Sequence, residues 1–228
     1  MALAALQLVY ESINFCEELI AFSAMNLDNL RTLMTRYPPI APEDMYYEQK
    51  RVFQAVSSRR KPSASSEGGV EGPFVPLVHV PGILDRLQSL GEYCRFHTAI
   101  PAKLRELAII ITARHIAAQL EFHVHAMEAR EFGLAEEAIE AIAARRRPAE
   151  MDDDEALVYD FATALFAEGR VSDDLFDRAA ERFGRAAIID LIATCGYYAT
   201  LGLVINVAKP ATPAFLEGFV PAFPVPND

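Results

Sequence analysis

Cysteine is scarce in this chain, and the three present, Cys16, Cys94 and Cys195, lie far apart, odd in number and in no CxxC or zinc-type spacing. They read as reduced thiols, which excludes a disulfide framework and suits a cytoplasmic protein. Basic residues are also short, 21 Lys and Arg against 32 Asp and Glu, for a formal net charge of −11. Binding to phosphate backbones or anionic lipid depends on clustered cations, so neither nucleic acid nor a membrane is an expected partner. The opening MALAALQLVYESINFCEELIAF is apolar but carries Glu11, Glu17 and Glu18 with no basic residue before Arg31, so the positive n-region of a signal peptide is missing. The apolar segment 185–207 is broken by Asp190 and Asn206, which favours a buried core or interface helix over a membrane span. Nowhere does apolar and polar alternation run long enough to predict a sheet.

What is present is the composition of a folded, all-α protein: 228 residues, 52% hydrophobic and 23% charged, enough for one sizeable domain with appendages. Residues 3–34 place Leu6, Val9, Ile13, Cys16, Leu19, Ile20 and Leu27 at three- and four-residue steps, which predicts an amphipathic helical arm ended by Tyr37-Pro38-Pro39. A helix is expected after Pro42, with Glu43 and Asp44 in its first turn, running to about Ser57. The Ser-, Gly- and Pro-rich stretch 59–73 reads as a mobile loop. Helices follow at about 81–97 and 101–116, each opened by a proline. Gly133 reads as a helix C-cap, and a short helix then ends near Arg145, Arg146 and Arg147. A helix pair is expected at 152–168 and 172–183, with Ser172 as N-cap, then the apolar segment. The tail 211–228 is rich in Pro and Phe.

Chemistry concentrates between Arg105 and Leu134, where Glu106, Arg114, His115, Glu121, His123 and His125 stand among Ala, Ile and Leu. Ionisable groups beside an apolar wall acquire shifted pKa values, the requirement of acid/base catalysis. Glu121 and His125, four residues apart, share a helical face on which a carboxylate can orient an imidazole. On an unbroken helix Glu106 would lie about 60° around the axis from Glu121. His123 and His125, two apart, point to different sides, and with no HExxH or cysteine cluster no metal is expected. Cys94 and His97 share a face, but a free cysteine is more often a small buried hydrophobe.

From about Tyr37 to Pro210 the chain resembles the carboxymuconolactone decarboxylase and alkylhydroperoxidase-like family. The resemblance lies in PPIAPEDMYYEQKRVFQAV, GPFVPLVHVPGILDRLQSLGEY, the GYY of 196–198 and, most specifically, LRELAII followed by ARHIAAQLEFHVHAMEAREFGL. It implies an alkylhydroperoxidase-like helical bundle spanning 37–210, with 1–36 as an N-terminal extension. The family's peroxidase branch sets two cysteines after a glutamate, at positions that fall here on Ala118 and Glu121, and a histidine at the position of His125. With both thiols absent, thiol peroxidase activity is not expected.

The decarboxylase-like branch instead implies proton transfer on a small carboxylated compound without metal or organic cofactor. His125 would carry the proton, Glu121 would hold and polarise it, and Glu106 would stand behind as relay. Arg114, Arg95 and His115 are the candidates for binding substrate. The resemblance further implies a break between the helices of Glu106 and His125, although no Gly or Pro marks it, and a homo-oligomer, trimer or hexamer. The competing reading is a non-catalytic oligomeric protein that binds a small molecule or a partner through residues 1–36.

Overall fold

The computed structural model describes residues 35–58, 70, 72–210 and 222–224. Among these the fold is all-α: nine helices and no strand. They are α1 (Tyr47–Ser57), α2 (Phe74–Leu77), α3 (Pro81–Phe96), α4 (Ala102–His115), α5 (Gln119–Glu131), α6 (Glu136–Ala143), α7 (Asp153–Glu168), α8 (Asp173–Phe183) and α9 (Arg185–Ala208). The arm at 3–34 and almost all of the 59–73 loop and the 211–228 tail lie outside the described residues.

At the centre is α4, where every residue from Leu104 to Ala113 is buried. A helix apolar on all sides must be covered on all sides, and α5, α7 and α9 pack against it. It divides the core in two. Leu104, Leu107, Ile110 and Ala113 join a cluster with Phe122, Ile139, Val158, Phe161 and Leu191. Ile109 faces a second cluster, made with Val52, Val56, Leu84, Tyr197, Tyr198 and Leu201.

Most helix ends fall where capping chemistry puts them. Pro81 occupies the first turn of α3, Ser172 accepts from the Leu175 N–H at 3.3 Å, and Asp152 with Glu155 forms a capping box on α7. Gly133, at φ 87°, closes α5 as the left-handed cap. One expectation needs correction. The first helix starts not after Pro42 but at Tyr47, because Ala41–Asp44 turns on itself (Asp44 N–H to Ala41 carbonyl, 2.9 Å) and the Gln49 side chain accepts from the Tyr46 N–H at 3.1 Å. The proline-rich element after Gly72 contains a helix, α2, whose Phe74 and Leu77 drop into the second cluster.

The break between α4 and α5 is real and is made by alanine. Ala117 adopts φ 56°, and the Ala118 N–H reaches back to the Ala113 carbonyl at 2.8 Å while Ala117 bonds Arg114 at 3.3 Å. That is the Schellman pattern, which usually places glycine at the left-handed residue. Tertiary contacts hold it: Asn206 of α9 donates to the Ile116 carbonyl at 2.9 Å. Gly202 lets α9 approach so closely that a Cβ there would stand 2.9 Å from that of Ala118. From the other side, the Ala222 N–H bonds the Gln119 side chain at 3.0 Å.

Candidate functional site

The reversal at Ala117 folds α5 back onto α4 and sets His125 against Glu106, both inside the protein. Glu106 is wholly buried and His125 is 4% exposed. His125 Nδ1 donates to Glu106 Oε2 at 2.6 Å. The other oxygen, Glu106 Oε1, accepts from Arg105 at 3.2 and 3.1 Å. On the far edge of the ring, His125 Nε2 stands 3.6 Å from Glu121 Oε1, an ion-pair distance too long for a hydrogen bond. The edge of the imidazole meets the Tyr198 ring at 4.6 Å between centroids.

This geometry reverses the expected roles of the two carboxylates. Four-residue spacing pointed to Glu121 as the holder of His125, but the chain reversal gives that place to Glu106 and leaves Glu121 beside the outer nitrogen. The 60° relation of Glu106 to Glu121 on one continuous helix does not apply, because the helix is not continuous.

Electrostatics favour the charged pair. Burial alone would lower the His125 pKa, but the Glu106 hydrogen bond and the charges of Glu121, Glu106 and Glu128 outweigh it and raise the imidazole above its ordinary value. Burial alone would raise Glu106, and the hydrogen bond and charge of His125, then Arg105, hold it below. Burial keeps the Tyr198 phenol protonated, well above its usual range.

Two members of the site were not foreseen. Arg105 precedes Glu106 and neutralises it from behind; nothing in the sequence separates it from an ordinary helix-surface arginine. Glu128 follows Glu121 and His125 at the next helical step, so the i, i+4, i+7 pattern contained it. It accepts from Arg95 at 2.5 Å. Arg95 therefore lies beside Glu128, where burial pulls its pKa down and Glu128, Tyr198 and Glu106 more than restore it.

Arg114 and His115 are not brought to His125. They lie two turns further along α4, about 12 Å from Glu106 at 1.5 Å per residue. Arg114 donates to the Ala143 carbonyl at 2.6 Å and stacks over Phe223, and His115 stacks on Phe166 at 4.9 Å. Their contacts serve packing between α4, α6, α7 and the tail. Cys94 and Cys195 are buried, with burial raising the Cys94 thiol and pushing Cys195 up to about 11, the opposite of a nucleophilic thiolate.

Glu106, His125 and Glu128 offer donor atoms within 4.8 Å of one another, a spacing that could hold a metal ion. A cation there would have to displace the proton shared by Glu106 and His125 and compete with Arg105 and Arg95, which already neutralise the two carboxylates.

No protein-family model and no curated protein matches the chain. Among solved structures it is similar to the debrominase Bmp8, crystallised as a cysteine-to-alanine variant in complex with 2,3,4-tribromopyrrole, at TM-score 0.59 and 14% identity over 80% of this chain and 94% of that one. At that identity the likeness concerns the fold alone.

Proposed function

We propose that the chain is a cofactor-independent lyase of the carboxymuconolactone decarboxylase kind, moving a proton through His125 on a small carboxylated lactone or keto acid. The observation that carries this reading is the buried imidazole fixed at Nδ1 by Glu106, its pKa raised above the ordinary value by the carboxylates around it. A ring tied at one nitrogen presents the other, Nε2, in a set direction, which is what a general acid requires.

As the C–C bond to the leaving carboxylate breaks, its electron pair stays on the substrate carbon, and Nε2 delivers the proton there. Glu106 and Arg105 hold the ring as it becomes neutral, and Glu121 stabilises its recharging. Arg95, released from Glu128, gives a bidentate contact to an acidic group of the substrate. Neither Glu121 nor His125 points into bulk water, which favours a catalytic over a purely binding role. A homo-oligomer, trimer or hexamer, belongs to the same proposal, with the exposed Ile83 and Leu90, which share one face of α3, as its natural contact.

The test is release of carbon dioxide from a panel of carboxylated lactones and β-keto acids by the native protein and by His125→Ala. A loss of about 10²- to 10⁴-fold in the variant is expected for a missing general acid. Turnover that survives His125→Ala would remove His125 from the mechanism, and a native protein inert across the panel would overturn the decarboxylase reading.

A further inference from the structure

Among the described residues, none covers one face of α9 along its length. Ala186, Ile189, Ile192, Gly196, Thr200, Leu203 and Val207 are all exposed, Ile189 at 65% and Val207 at 57%. They recur at three- and four-residue steps and include no charged side chain, over about 32 Å of helix. On a chain of net charge −11 an uncharged stripe of this length marks a buried surface.

The described chain begins at the C-terminal end of this stripe. The Arg36 N–H bonds the Ala208 carbonyl at 3.0 Å, the Thr35 hydroxyl lies 3.4 Å from the same oxygen, and the Arg36 guanidinium donates to the Val207 carbonyl at 3.1 Å. The described chain is thus tethered at Thr35 and Arg36 to the last turn of α9, with residues 1–34 N-terminal to that tether.

We propose that residues 13–34 cover this stripe as an amphipathic helix parallel to α9, in the same chain. The sequence fits in register. Thr35 faces Ala208 at a separation of 173 residues. The same offset sets Met34 on Val207, Leu30 on Leu203, Leu27 on Thr200, Ser23 on Gly196, Leu19 on Ile192, Cys16 on Ile189 and Ile13 on Ala186. Each exposed position of α9 meets a residue of the arm's apolar face, and the two smallest meet each other. At 100° per residue Glu18 falls on the opposite, solvent side, and Glu17 and Asp28 fall on the flanks, off the seam. Parallel helices with this repeat pack side chains into each other's gaps, and the tether at Thr35 gives the arm a high effective concentration over a second copy.

Disulfide trapping in the full chain tests the register. In Ile189→Cys, mild oxidation with diamide should join Cys16 to position 189 within one chain, while Leu90→Cys, exposed on α3, should not capture Cys16. A second pair, Leu30→Cys with Leu203→Cys in a Cys16→Ser background, should also close, and adding Leu203→Glu to Ile189→Cys should slow trapping by at least roughly tenfold by setting a carboxylate against the arm. Bonds between two chains at dilute protein, or no intrachain bond in either pair, would overturn the proposal. None of these substitutions touches His125 or its partners, so the outcome is independent of the decarboxylase assay.

Discussion

Glu106 decides the behaviour of the site because it serves two cations at once. Glu106→Gln would leave Arg105 and His125 without their buried counter-charge, and breaking such a pair costs about 3–5 kcal/mol. Urea denaturation at pH 7 should show a loss of that size; a loss under about 1 kcal/mol would mean the charges are not coupled. The pair also predicts a pH window. His125 is raised above its ordinary 6.5, so its contribution is complete below that value and disappears as pH rises through the raised pKa. Glu106 is lowered from 4.5, so its contribution is present above that value and disappears as pH falls through the depressed pKa. Stability should therefore plateau between the two, and NMR titration of His125 should give a midpoint above 6.5 that drops in Glu106→Gln. An unmoved midpoint would contradict the hydrogen bond.

Helices were the most legible level of the sequence, and their joints the least. Proline at Pro81, the Ser172 cap and the glycine at 133 announced their ends because each is a local chemical signal. Ala117 gave none: its left-handed backbone is held by α9 and by residues 222–223, contacts set by the rest of the fold. For the same reason the pairing of Glu106 with His125 was hidden behind the more obvious spacing of Glu121, and Arg114 and His115 looked like site residues until α6 and the tail claimed the first and α7 the second. Two substitutions probe this joint. Ala117→Gly relieves a left-handed alanine at an entropic cost of similar size, about 1 kcal/mol each, and should be near neutral. Gly202→Val should destabilise by about 1–3 kcal/mol, since its branches meet the fixed Ala118 Cβ. Thermal melts of both would check the joint, and a Gly202→Val protein as stable as the native one would refute the close approach.

Across the whole molecule, acidic residues outnumber basic ones by enough to set a measurable self-repulsion. Exposed pairs such as Arg182 with Asp154 and Arg130 with Glu136 offset little of it, at roughly 0–1 kcal/mol each. Raising salt from about 10 to about 150 mM shortens the screening length from about 30 to about 8 Å, and Tm should rise by about 2–4 °C. A fall would show that the pairs outweigh the net charge. The clasp on the α4–α5 joint has a consequence for biosynthesis. Asn206 is separated from Ile116 by 90 residues, so a ribosome has translated both site helices long before it supplies the residue that fixes their angle. An interrupted product would contain Glu106 and His125 without the clasp that holds them face to face, so their pairing waits for α9 to be made.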